Sequence, residues 1–263
     1  MSRWHRTACP ECSAGCGRAH DDALAVNLET GWWSCWRCHA SGVDGTTRST
    51  VPPCEPDPER MRSLACRIFA EARSIAAGDP VDLYLRGRSL RPAAGAWPAD
   101  LRYHRRLRHP SRVHLPAMVA IVRDVASRPV AVARTWLTTD GSKANVHPVR
   151  ATLGPSSGAC VQLGDVAPAI AVAEGIEDAL AVALLIPGLR CWATLGASGM
   201  GRVSLPSEAR RVLVVPDRDD VGARAGLELA DRLRREGRSV EIRWPRDEDA
   251  AADLQAMEVD HAR

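Results

Sequence analysis

From residue 168 onward, short apolar runs alternate with longer stretches in which apolar residues return every three or four positions. Runs such as 169–173 and 212–215 are continuous rather than alternating, as in strands buried on both faces. The pattern predicts strands at 169–174, 190–194, 211–216 and 239–243. Helices are expected at about 176–186, 198–202, 221–236 and 250–258. Strand–helix alternation of this kind implies crossover connections and a parallel sheet flanked by helices, an α/β arrangement.

The preceding segment has a different rhythm. Two apolar runs, 117–123 and 129–136, flank a turn at 124–128 and read as antiparallel strands. A second turn at 138–141 leads to Lys143 and on to Val149 and Arg150, and a third pairing strand is expected at 159–163. Upstream, Met61, Leu64, Ala65, Ile68, Phe69, Ala72 and Ile75 recur at helical spacing, predicting a helix over 59–77 that Gly78, Asp79 and Pro80 stop. A second short helix precedes the Tyr84–Arg88 stretch. Residues 40–58 are rich in Gly, Ser, Thr and Pro and read as a semi-extended linker. Near the N-terminus, 23–28 and 32–34 alternate like two short strands joined at 29–31.

Composition changes this picture in two places. The chain has 263 residues and a formal charge of only +3, so it carries no global signal for a polyanionic partner. The arginines are nevertheless clustered: Arg86, Arg88, Arg91, Arg102, Arg105, Arg106, Arg108 and Arg112 lie close in sequence, whereas Lys143 is the only lysine. A run from Arg102 to His109 suits a strip that contacts phosphates, with Tyr103 available to stack on a base; a solvated loop is the competing reading. No stretch reaches the roughly 18 apolar residues of a membrane span, and the N-terminus lacks an apolar signal core, so a cytoplasmic protein without membrane contact is expected.

The nine cysteines are the second place. In a reducing compartment they argue for metal ligation rather than a disulfide framework. Cys9 and Cys12 form one Cys-x-x-Cys knuckle and Cys35 and Cys38 another, which together supply four thiolates for a tetrahedral Zn²⁺. Cys16, His20 and His39 are spare candidates, with Cys16 able to replace Cys12. So small a module has little core, and metal binding would supply on the order of 10 kcal/mol of its folding free energy. Cys54, Cys66, Cys160 and Cys191 lack partner spacing.

Candidate chemistry concentrates at the ends of two predicted strands. Glu174, Gly175, Ile176, Glu177 and Asp178 follow the first strand of the C-terminal half, and Asp217, Arg218, Asp219, Asp220, Val221 and Gly222 follow the third. Carboxylates at the carboxyl ends of parallel strands point into the crevice where such sheets bind ligands. Several converging there would repel one another without cations between them, and oxygen-only ligands suit Mg²⁺ or Mn²⁺. Helix capping accounts for Asp178 on its own but not for Glu174 at the end of a buried strand.

A Glu-Gly-x-x-Asp after one strand and an Asp-x-Asp-x-x-Gly after a later one resemble the Toprim domain of bacterial-type primases, topoisomerases, recombination mediators and some nucleases. The order of the modules resembles the bacterial-type DNA primases, in particular their phage- and plasmid-borne branch with an N-terminal zinc ribbon. The resemblance implies an α/β fold: a DNA-reading zinc ribbon over 1–45, a linker over 46–58, a helical and antiparallel basic α+β subdomain over 59–167, and a metal-binding catalytic Toprim domain over 168–263. It further implies that Glu174, Asp178, Asp217 and Asp219 bind Mg²⁺ or Mn²⁺, with Gly222 opening the next helix. Asp247, Glu248, Asp249 and Asp253 compete for a third acidic position; none fits the family's usual form, and Asp249 is the choice.

The activity implied is synthesis of short primers on single-stranded DNA from nucleoside triphosphates. Two cations about 3.5–4 Å apart would stabilise the attacking and leaving oxygens. Glu174 would bind one of them or act as general base, with Asp217 and Asp219 holding the metals. Arg134, Lys143 and Arg150 are the cations expected for triphosphate or template backbone, with Arg105 and Arg106 on the template strip. Two other readings remain open: a non-catalytic zinc and Toprim recombination mediator that binds DNA, and a Toprim nuclease in which water replaces the hydroxyl. The chain ends soon after the acidic motifs, so the protein is expected to work alone, to recruit a separate helicase, or to be a shortened descendant.

Overall fold

The computed structural model describes residues 4–7, 9, 23–36, 41–43, 57–92, 95–246, 249–251 and 253. Contacts divide the chain into two compact units, Met1–Pro56 and Asp57–Arg263.

The N-terminal unit is an antiparallel meander of β1 (Trp4–Thr7), β2 (Leu24–Asn27), β3 (Trp32–Cys35) and β4 (Ser41–Val43). The hairpin expected between residues 23 and 34 is β2–β3; its outer neighbours β1 and β4 were not expected, β1 being a strand of four exposed residues and β4 only three residues long. Asn27 shapes the hairpin turn, its side-chain oxygen accepting from the amides of Glu29 and Thr30. The core consists of Cys9, Ala23, Leu24 and Cys35, with Val26 and Trp33 packed against it. Among the described residues this core is small, and a core of that size offsets little of the entropy of ordering a chain segment.

The larger unit holds two five-stranded sheets. The first runs in the order β5 (Arg73–Ser74), β6 (Leu101–Arg108), β7 (His114–Arg123), β8 (Pro129–Trp136), β9 (Arg150–Leu153), antiparallel throughout. Helix α1 (Pro58–Glu71) covers one face, its Ala65 and Ile68 packing with Val119, Val132 and Trp136. Asp57 caps α1 by accepting from the Glu59 amide, with Pro58 in the first turn. The helix is shorter than the periodicity suggests, because Arg73 and Ser74 leave it to pair with Tyr103 and Arg102 of β6. Strand β6 corrects one expectation: the arginine-rich run is not a solvated loop but a strand, on which Arg105, Arg106 and Arg108 are exposed. Leu101, Tyr103 and Leu107 are buried, and Arg73 lies over the Tyr103 ring, so this tyrosine is a core residue rather than a platform for a base.

The second sheet has the order β10 (Val161–Leu163), β12 (Arg190–Ala193), β11 (Ala169–Ala173), β13 (Arg211–Val215), β14 (Ser239–Ile242). The last four strands are parallel, and β10 joins β12 antiparallel. The strand expected over 159–163 thus pairs mainly with the parallel sheet, although Cys160 still exchanges backbone hydrogen bonds with Arg123 of β7 (2.8 and 3.1 Å). Helices α3 (Ile176–Leu185), α4 (Ala197–Arg202) and α5 (Asp220–Arg235) connect the parallel strands. On β11, Ala171 and Ala173 face the core that includes α3, while Ile170 and Val172 face the one that includes Leu229 and Leu233 of α5. The first of these cores also contains Met118, Ala120, Val122, Ala131 and Ala133 of the antiparallel sheet. Helix α2 (Pro80–Arg86) contributes Val81, Tyr84 and Leu85 to it. Among the described residues, no helix is long and apolar enough to cross a membrane.

Candidate metal and nucleotide site

A cleft of about 470 Å³ lies where the two sheets of the larger unit meet. One wall comes from the carboxyl ends of β11 and β13, which deliver Glu174, Gly175, Asp178 and Asp217. The other comes from β8, β9 and the turn between them, which deliver Arg134, Lys143 and Arg150. Asp249 and Arg88 also reach the cleft and form an ion pair at 3.6 Å.

The acidic wall is electrostatically loaded. Burial raises the Glu174 carboxyl above its ordinary range, and the charges of Asp219 and Asp178 add to this; amides of Ala197 and Asp217 pull the other way. The Glu174 Oε2 atom is buried without a hydrogen-bond partner. Asp217 is pushed up to about 7 by burial and by Glu174, Asp249 and Asp219, and Asp178 to about 7 by burial and by Asp249, Asp217 and Glu177. Asp178 also accepts a hydrogen bond from the Ala251 amide at 3.2 Å. Six carboxylates, Glu177 among them, therefore share one field at low dielectric, which is unfavourable unless protons or cations enter.

Asp219 holds a different position from Asp217. It is the N-cap of α5, accepting from the Gly222 amide at 2.6 Å, and it does not line the cleft, although its charge is felt by Glu174 and Asp217. Gly222 is needed for the approach itself: a Cβ there would stand 2.7 Å from the Asp217 carbonyl and 3.0 Å from Glu174 Oε2.

The cationic wall is less uniform than its sequence suggests. Arg150 donates to Glu177 at 2.7 Å, and Tyr84 donates its hydroxyl to the same carboxylate oxygen at 2.6 Å. Glu177 is buried, and Arg150 with Tyr84 holds its carboxyl below the ordinary range despite burial. Much of Arg150 is thereby committed to a structural pair. Arg134 stacks over Trp136 at 5.0 Å, and burial lowers its pKa, as it does for Lys143, where Arg150 and Arg88 reinforce the effect. The Nε atoms of Arg88 and Arg134 are buried without hydrogen-bond partners. Arg88 was the residue to miss from sequence: it reads as one more arginine in a cluster, and only the fold at the end of α2 turns it toward Asp249.

Arg105 and Arg106 do not line this cleft; they are exposed on β6. In the N-terminal unit, Cys9 and Cys35 are buried, whereas Cys12, Cys38 and the spare candidates Cys16, His20 and His39 lie outside the described residues, as do Asp247 and Glu248. Among the described residues, no three His, Cys, Asp or Glu side chains converge closely enough, as placed, to hold one ion. The donor set nonetheless fits a hard divalent cation: it is all oxygen, its members raise one another's pKa, and Glu174 has an orphaned buried oxygen.

Residues 169–258 match the family model of the Toprim domain. This part of the chain is a Toprim domain. Residues 59–163, directly before the Toprim domain, match a domain of unknown function, DUF7146. No curated protein matches the chain. Among solved structures, it is similar to the primase fragment of the bacteriophage T7 primase-helicase protein, at 14% identity over 98% of this chain and 96% of that one, with a TM-score of 0.47. The zinc-binding and RNA polymerase domains of the Aquifex aeolicus primase are 14% identical over 100% and 78% of the two chains, with a TM-score of 0.49. A DNA primase domain from Pseudomonas aeruginosa is 17% identical over 77% of each chain, with a TM-score of 0.49.

Proposed function

We propose that the protein is a DNA primase that makes short primers on single-stranded DNA by nucleotidyl transfer. The observation that carries this reading is the opposition, across one cleft, of the Toprim carboxylates and the cations Lys143, Arg134 and Arg88. A cleft of one sign would serve a metal or a phosphate; both signs together suit a metal-bound triphosphate.

In this reading Glu174, Asp217 and Asp178, with Asp249, hold Mg²⁺ or Mn²⁺, and Asp219 adds charge while fixing the start of α5. Held by these residues, a divalent cation would supply charge neutralisation at the reacting phosphate and would acidify the attacking hydroxyl. Glu174, whose Oε2 has no protein donor, would accept the proton of the 3′-hydroxyl. Lys143 and Arg134 bind the triphosphate, and Arg150 orients the wall by its bond to Glu177. Arg105 and Arg106, exposed on β6, contact the template backbone. The N-terminal unit binds Zn²⁺ through Cys9, Cys12, Cys35 and Cys38, and its exposed Trp32 and Trp36 face the template.

The test is primer synthesis on single-stranded DNA with labelled nucleotides and Mg²⁺ or Mn²⁺. Oligonucleotides made by wild type, with yield at least about 100-fold lower for Glu174→Gln and Asp217→Asn, are expected. DNA binding without product or cleavage would move the assignment to a mediator. Template cleavage lost in both variants would identify a nuclease.

A further inference from the structure

Beside the metal cleft lies a second pocket of about 300 Å³ that shares two walls with it, Thr152 and Leu195. Its lining is chemically the opposite of the carboxylate wall. It presents the hydroxyl-bearing Thr152, Ser156, Ser157 and Ser198 with one cation, Arg202, and includes no carboxylate. The guanidinium of Arg202, the last residue of α4, makes no hydrogen bond or ion pair with the other described residues.

The pocket is held in shape from two sides. The loop carrying Ser156 and Ser157 is pinned to the end of α4 by the Ser204 amide, which donates to the Gly158 carbonyl at 2.9 Å. On the shared side, Leu195 adopts φ +67, a left-handed conformation that an aliphatic side chain rarely takes. The chain then folds so tightly that a Cβ at Gly199 would stand 1.9 Å from the Thr194 carbonyl. A leucine held there is strained, and such strain clusters at ligand sites, where a turn must be aimed. This turn divides the two pockets.

We propose that this pocket binds the 5′-polyphosphate of the first nucleotide of the primer, resting on the primase reading above. Making the first bond requires two nucleotides at once. The 3′-oxygen of the first forms a P–O bond to the α-phosphorus of the second. The bond from that phosphorus to the β-bridging oxygen breaks, and pyrophosphate leaves with the electron pair; the hydroxyl proton passes to a carboxylate or to water. The triphosphate of the first nucleotide takes no part, yet it carries three or four negative charges that must be placed. The main cleft offers it a carboxylate wall, and its cations are taken by the second nucleotide. The neighbouring pocket offers hydroxyl donors, an unpaired arginine and nothing that repels phosphate.

The experiment measures dinucleotide synthesis on single-stranded DNA while the first nucleotide is supplied as the triphosphate or the monophosphate. Losing one charge-assisted hydrogen bond corresponds to about a tenfold change. Arg202→Ala is therefore expected to raise the half-saturating concentration of the first triphosphate about tenfold, with Arg202→Lys in between. The defect should vanish when the first nucleotide is a monophosphate. Equal effects on both forms, or none on either, would overturn the proposal. Calorimetric titration of the full chain with magnesium ATP supplies a readout that needs no catalysis. Two sites in wild type and one in Arg202→Ala support the subsite even if no primer is made; a single site unchanged by the substitution removes it.

Discussion

Glu174, Asp217 and Asp178 are poised at the cost of stability. In the unfolded chain their pKa values lie near 4, whereas burial and mutual repulsion push Asp217 and Asp178 to about 7 in the fold. The folded state therefore holds protons that the unfolded state releases as pH rises between the two values, so stability from these groups is present below about pH 4 and is lost as pH rises toward 7. Metal-free protein is expected to melt at a lower temperature at pH 8 than at pH 5, and added Mg²⁺ should reverse the trend at pH 8. Asp217→Asn removes one source of repulsion; differential scanning calorimetry should show it more stable than wild type at pH 8 without metal and no longer stabilised by metal to the same degree. Gly222 is the complementary case. Gly222→Ala inserts a methyl group against the Asp217 carbonyl and Glu174 Oε2. It is expected to destabilise by about 2 kcal/mol in denaturant titrations and to reduce primer yield more than that loss explains.

The elements that present these groups differ in how openly the sequence declares them. The parallel strands were legible to within a residue or so, because β11 and β13 are short apolar runs ended by acids, and α5 begins at a capping aspartate followed by a helical stripe. Strand β6 was not, since its buried Leu101, Tyr103 and Leu107 are separated by arginines and the bulge between His104 and Leu107 breaks the two-residue period. The pairing of β10 was hidden for another reason: a strand's own residues do not say which of two sheets it will join. The site shows the same division. Its carboxylates announce themselves after strand ends, while Arg88 and the Glu177–Arg150–Tyr84 cluster depend on contacts between segments distant in sequence. That cluster ties α2, β9 and α3 together, so Arg150→Ala, which leaves Glu177 buried without its ion pair, should cost about 2–3 kcal/mol by urea unfolding. Tyr84→Phe should cost about 1 kcal/mol.

At the scale of the whole molecule, the two units differ in the described core that each buries. Among the described residues, the N-terminal unit has a core of four buried residues, two of them cysteines. Removing metal with a chelator, or substituting Cys9→Ser, is expected to unfold it while the Toprim unit persists. Tryptophan fluorescence will read this, because Trp4, Trp32, Trp33 and Trp36 belong to the smaller unit and the edge-to-face pair of Trp4 and Trp32, with centroids 5.9 Å apart, would be lost.

Within the larger unit, the core shared by both sheets and the Arg123–Cys160 bridge between them join the acidic and basic walls. Walls joined in this way are expected to move as one body rather than as jaws. On the proposed function, substrates would fit an opening whose width is set at folding, and selectivity would come from what reaches the cleft rather than from a closure that tests it. Such a body should also melt in one step, and proteolysis between residues 163 and 169 should not release a Toprim fragment able to stand by itself.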